Sequence, residues 1–182
     1  MENLFKGLIA SKTRIKLLTR FFFNPLTKSY LRELAKEFSL STNSVREELN
    51  QLTKTRLLLS EKKGRQVLYC ANTEHPLFPE LKSMVGKVMG IDQVIDSIIT
   101  RLGDLEEAYL IDDYAEGKDT GIIDLLLVGK IDEYHLNDLS RKTERYIKRK
   151  IRSLVLSNSE YKEMAPGLKH RPKILIWAKN GT

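Results

Sequence analysis

A chain of 182 residues, 41% hydrophobic and 30% charged, has room for one large or two small domains, each with its own core. No apolar run approaches the ~18 residues that a membrane span needs, Lys6 interrupts the apolar start, and a single cysteine, Cys70, excludes an internal disulfide. The net charge of +7 lies entirely in residues 1–75, which hold 14 Lys and Arg against 7 Asp and Glu, whereas residues 76–182 hold 17 of each. Such a partition is the footprint expected where phosphates are neutralised, and a cytoplasmic protein without a signal peptide is expected.

Residues 1–24 are predicted to be helical. Ser11 precedes KTRIKLLTRFFF, where Ile15, Leu18 and Phe22 mark one stripe and Leu17 and Phe21 a second. A helix apolar on two sides needs two partners. Leu4, Phe5, Leu8 and Ile9 ahead of it suit either a dimer seam or a cap on the domain's own core. Asn24-Pro25 ends the helix, because proline disfavours helical geometry in the residue before it.

Tyr30 to Phe38 reads as a short amphipathic helix with Leu31, Leu34, Ala35 and Phe38 inward, and Ser39-Leu40-Ser41 as a turn. The next helix, within residues 40–57, can be capped by Ser41 or Thr42 and buries Val45, Leu49 and Leu52 at i, i+4 and i+7. Its other side carries Asn43, Arg46, Glu47 and Asn50, side chains able to read a base edge or a phosphate. Arg46 has no carboxylate three or four residues away, and Lys54 is similarly free within the helix. Residues 57–60, the turn Lys62-Lys63-Gly64-Arg65 and residues 67–70 then form strand, basic turn, strand.

Helix, tight turn, polar-faced helix and basic hairpin in that order resemble bacterial and archaeal winged helix-turn-helix regulators of the ArsR-like type. The resemblance is carried by Leu31-Arg32-Glu33-Leu34-Ala35, by residues 41–52 and by the leucine run with its wing, and covers roughly residues 1–75. It implies a double-stranded DNA partner, a homodimer, and contacts from Thr42, Asn43, Ser44, Arg46, Glu47, Asn50, Lys54, Lys62, Lys63 and Arg65. The cysteine-bearing motif of metal-sensing relatives is absent from residues 30–38, so no metal sensor is expected there.

Residues 72–79, with two prolines, mark a boundary. Apolar residues then recur at 77, 81, 84, 88, 91, 95, 98 and 102, predicting a connecting helix over residues 76–103 that can bend and can add to a dimer interface. Gly86 and Gly90 within it mark a close crossing or a break.

From Asp104 the period changes. Residues 108–111 and 122–129 are nearly continuous apolar runs, hence buried strands; residues 135–149 form a charged helix with Leu136, Leu139 and Ile147 inward; residues 151–156 and 173–177 are further strands. The expected class is therefore α+β and multidomain, with a winged helix over 1–75, a connecting helix over 76–103 and a small α/β domain over 104–182.

Residues 109–129, YLIDDYAEGKDTGIIDLLLVG, resemble a nucleotidyltransferase active-site region. That family's pattern is an apolar strand, Gly-Ser, one residue, Ala-Arg-Gly, a loop, then Ser-Asp-x-Asp before an apolar strand. Its Gly-Ser cradles a triphosphate, and its carboxylates hold divalent metals. Here Asp112-Asp113 replaces Gly-Ser, Ala115-Glu116-Gly117 replaces Ala-Arg-Gly, and Gly121-Ile122-Ile123-Asp124 replaces Ser-Asp-x-Asp. Ala115, Gly117 and Asp124 survive. The resemblance implies the fold and argues against the activity, with Asp124 expected as a remnant bonded to loop amides.

Asp112, Asp113, Glu116 and Asp119 form an acidic loop that can bind a cation or pair with the basic run Arg141 to Arg152. That run is either a further nucleic-acid contact or the solvated face of a helix. His75, His135 and His170 are scattered, and no metal or cofactor is expected. The function expected is a non-enzymatic, sequence-specific transcriptional regulator whose second domain serves assembly or sensing, with no effector specified by any motif. Two rivals belong to other classes: a nucleotidyltransferase delivered by a winged helix, and an antitoxin-like interaction protein whose winged helix binds protein.

Overall fold

The computed structural model describes Ile9 and residues 11–179, so Leu4, Phe5 and Leu8 of the expected dimer seam lie outside the described residues. The chain divides into two compact units, Met1–Val88 and Met89–Thr182. Both mix helices and strands, and the expected α+β class holds.

In the first unit, helix α1 (Lys12–Phe23) starts where the Ser11 hydroxyl accepts from the Arg14 amide, satisfying one of the amides that the first turn leaves unpaired. It buries Leu17, Leu18, Phe21, Phe22 and Phe23, so both apolar stripes are used; Ile15 stays half-exposed. Strand β1 (Lys28–Tyr30) leads directly into α2 (Leu31–Phe38), whose Glu33 carboxylate accepts from the Tyr30 amide at 2.9 Å. The turn after α2 passes through a left-handed Ser39 (φ 54°), and α3 (Thr42–Lys54) begins with Ser41 as its cap. Val45, Leu49 and Leu52 form its buried stripe, as their spacing requires.

Strands β2 (Leu58–Lys63) and β3 (Gln66–Ala71) form the wing, and β1 adds to the outer edge of β3, giving the order β1-β3-β2. Helices α1, α2 and α3 followed by this hairpin are a winged helix-turn-helix. Two long-range ion pairs clamp it: Arg14 Nε lies 2.7 Å from Glu48, and Arg20 Nε lies 3.1 Å from Glu37. Beyond the wing, α4 (Phe78–Met89) packs the Phe78 ring against Phe22 with centroids 5.6 Å apart.

The long helical stripe does not run on unbroken. It stops at Gly90, in a left-handed conformation (φ 81°) that glycine adopts without strain, and resumes as α5 (Ile91–Ser97) and one 3₁₀ turn (Ile99–Arg101). Of the two flagged glycines, Gly90 is the break, while Gly86 stays inside α4.

The second unit is built on strands β4 (Leu105–Ile111), β5 (Ile122–Gly129), β6 (Lys150–Leu156) and β7 (Lys173–Ala178) in the order β6-β5-β4-β7. β4 runs antiparallel to β5 and β7, and β5 runs parallel to β6. The parallel pair is joined by α7 (Glu133–Ile147), the crossover that parallel strands require. Every residue of β5 from Ile123 to Gly129 is buried, so both faces of the sheet are covered. One face carries Ile111, Leu126, Val128 and Leu156, closed by Leu168 of α8 (Asn158–Leu168), a helix not expected from the residues. The short α6 (Asp112–Ala115) follows β4, and its buried Tyr114 hydroxyl donates to the Met89 carbonyl at 2.7 Å.

Candidate nucleic-acid interface

The buried stripe of α3 fixes which side chains must face outward. Asn43, Arg46, Glu47 and Asn50 are all exposed, on the side away from Val45, Leu49 and Leu52. Arg46 Nη1 donates to the Asn43 amide oxygen at 3.1 Å, a neutral contact that orients the guanidinium and leaves its charge uncompensated. Thr42 and Lys54 are exposed at the two ends of α3. Ser44 is not on this face: its hydroxyl lies 3.0 Å from that of Thr13, tying α3 to α1.

Between α3, the start of α2 and the wing lies a groove of about 660 Å³, lined by Tyr30, Leu31, Arg32, Arg46, Asn50, Arg65, Gln66, Val67 and Tyr69. Three arginines converge on it and no carboxylate lines it. Among the described residues none of the three pairs with an acid. Burial pushes the Tyr69 hydroxyl above its usual range, and the nearby Arg46 charge offsets part of that shift. Arg32 at the first turn of α2, Tyr30 and Tyr69 were missed as site residues. Arg32 is exposed on an amphipathic helix like many solvated arginines, and only the packing of α2 beside the wing brings it to the groove.

The basic turn of the wing divides. Lys63 Nζ lies 3.0 Å from Glu61 on the same strand, whose carboxylate, as hydrogen-bond acceptor and counter-charge, holds the ammonium above its ordinary pKa. Lys62 and Arg65 have no such partner among the described residues. Gly64 at the tip sits at φ 60°, as the tight turn demands.

The second candidate site lies at one end of the second unit's sheet. Asp112 takes a left-handed conformation (φ 58°), open to glycine without cost and rare for other residues, where the nucleotidyltransferase pattern has its glycine. Its amide donates to the Pro172 carbonyl at 3.0 Å, and its carboxylate accepts from Arg171 Nε and Nη2, both at 2.6 Å. Asp124, 9% exposed, accepts from Arg152 Nε at 2.7 Å and Nη2 at 2.9 Å. The expected bonds from loop amides to Asp124 are thus corrected: a guanidinium on the next strand holds it, because a carboxylate this buried needs a full counter-charge.

The acidic loop pairs with bases throughout. Asp119 binds Arg149, and Asp113 and Glu116 share Lys118. Of the two alternatives for that loop, the structure shows pairing, partly with the basic run that ends at Arg152. Ala115 and Gly117 are buried beside it, Gly117 with φ 77°. Ile122 stands half-buried two residues before Asp124 and offers no ligand atom. No three His, Cys, Asp or Glu side chains converge as a metal site among the described residues. No helix among them is long and apolar enough to cross a membrane.

No protein-family model matches the chain, and no curated protein matches it in sequence. Among solved structures it is similar to reduced HlyU from Vibrio cholerae, at 18% identity over 50% of this chain and 86% of that one, with a TM-score of 0.37. It is also similar to a candidate nucleotidyltransferase from Sulfolobus solfataricus, at 20% identity over 55% of this chain and 87% of that one, with a TM-score of 0.36.

Proposed function

We propose that the protein is a transcriptional regulator that binds double-stranded DNA through its winged helix-turn-helix, with a second unit that does not transfer nucleotides. The observation that carries this reading is the groove where Arg32, Arg46 and Arg65 meet with no carboxylate beside them. Asn43, Arg46 and Asn50 on α3 suit the major groove, where amide and guanidinium forks discriminate base edges. Lys62, Arg65 and Arg32 suit the phosphates on either side. Selection of bound DNA from a random pool tests it: recovery of a defined sequence supports the reading, and recovery of unselected DNA overturns it.

A homodimer belongs to the same proposal, since winged-helix dimers bind half-sites about one helical turn apart. Light scattering that finds a monomer at micromolar concentration, with and without DNA, removes this part. For the second unit, the paired state of Asp112 and Asp124 and the apolar Ile122 support the absence of transfer chemistry. Labelled nucleoside triphosphates with Mg²⁺ or Mn²⁺ and protein or RNA acceptors should leave no label; transfer lost in Asp124→Ala would make the protein an enzyme.

A further inference from the structure

Tyr69 is only 7% exposed, yet it lines the groove between α3, the start of α2 and the wing. On β3 it shares a face with Val67 and Ala71, since side chains two apart along a strand point the same way. Its ring is enclosed, and its hydroxyl makes no hydrogen bond to any described residue. A buried phenol usually finds a partner, because an unpaired polar end costs free energy. Burial holds this hydroxyl above its ordinary pKa, so it keeps its proton at physiological pH and can donate. Around it the guanidiniums of Arg32, Arg46 and Arg65 can only donate, and no carboxylate lines the groove. A negatively charged group that accepts hydrogen bonds is what such a wall fits.

We propose that the Tyr69 hydroxyl donates to one backbone phosphate of the bound DNA, seated between α3 and the wing. This rests on the reading of the groove as a DNA interface and adds a contact of a different kind. The arginines draw the polyanion in by charge. The phenol is neutral, and its enclosed ring leaves little rotamer freedom to lose, so it fixes where one phosphate sits. A neutral donor adds affinity without releasing a counter-ion, which separates it from every arginine in the groove.

The test compares full-chain Tyr69→Phe with the wild type by fluorescence anisotropy, on the selected duplex and on a random one, each over a salt series. Affinity should fall about tenfold on both, as expected for one hydrogen bond to a charged acceptor. The salt slope should stay unchanged, and the melting temperature should not fall, because the hydroxyl has no partner in the protein to lose. Methylphosphonate placed at one phosphate at a time should locate the contact: at one position per bound winged helix, wild type and Tyr69→Phe should bind alike. Inorganic phosphate at fixed ionic strength should not displace the duplex. A loss confined to the selected duplex would make Tyr69 a base reader. A lower melting temperature would mean an internal partner, and displacement by inorganic phosphate in the wild type alone would assign the seat to a free oxyanion. Each of these overturns the proposal, as does an affinity that Tyr69→Phe leaves unchanged. A wild type that binds neither duplex removes the DNA reading as well, so the two failures are told apart.

Discussion

The arginines of the two units meet opposite fates. In the first unit Arg32, Arg46 and Arg65 line one groove without an acid among them, while Arg14 and Arg20, on the other side of α3 and α2, are locked to Glu48 and Glu37. In the second unit Arg149, Arg152 and Arg171 each hold an aspartate. The same side chain thus serves as an open charge in one place and as a structural clamp in the other. What separates the two is the presence of a carboxylate within reach, since a paired guanidinium projects little field toward a polyanion.

Arg46 is the open charge whose loss should show most. Arg46→Ala should cost about 1–3 kcal/mol on the selected sequence and much less on random DNA, measured by fluorescence anisotropy. Equal losses on both would make Arg46 a phosphate contact. Arg32→Ala and Arg65→Ala should each weaken all sequences alike and lower the salt slope by about one unit. Lys63→Ala should lower it by clearly less, because Glu61 already neutralises that ammonium. Smaller still on DNA, Arg152→Ala and Arg171→Ala should leave the affinity within about twofold while lowering the melting temperature; a loss of binding matching that of Arg65→Ala would put the second unit in the interface.

The smallest effect concerns acid. Glu144 accepts from the Ile151 amide and from Lys150, both at 2.9 Å, joining α7 to β6. Burial pushes its carboxyl up, but the Ile151 amide and Lys150 outweigh it and hold it below its ordinary value of 4.5. A depressed folded pKa gives stability that is present above the unfolded value and is lost as pH falls through the folded one. Glu144→Gln should therefore lower the melting temperature slightly at pH 7 and flatten its decline below pH 4.5. An unchanged profile would mean the bonds are not formed in solution.

The winged helix was legible because its signals are local. The cap Ser41, the stripe Val45, Leu49, Leu52 and the glycine turn at Gly64 each sit within a few residues of what they determine. Strand β5 matched its predicted span, residues 122–129, because seven apolar or small residues around one aspartate allow little else. The three-residue β1 and helix α8 were not legible. β1 exists only through its pairing with β3, and α8 carries Pro166 and Gly167 in its last turn, which read as loop.

The amino-acid sequence by itself determined where most of the helices and strands form, and it placed the whole positive excess in residues 1–75. It could not decide which charges remain open. Arg14 meets Glu48 across 34 positions, Arg152 meets Asp124 across 28, and Arg171 meets Asp112 across 59. No periodicity links residues so far apart; strand order and helix packing bring them together. Capping and amphipathic spacing act over one turn of chain, whereas a counter-charge acts over a few ångströms of space. For that reason the elements were readable from the order of residues, and the sorting of arginines into clamps and open contacts was settled by the tertiary fold.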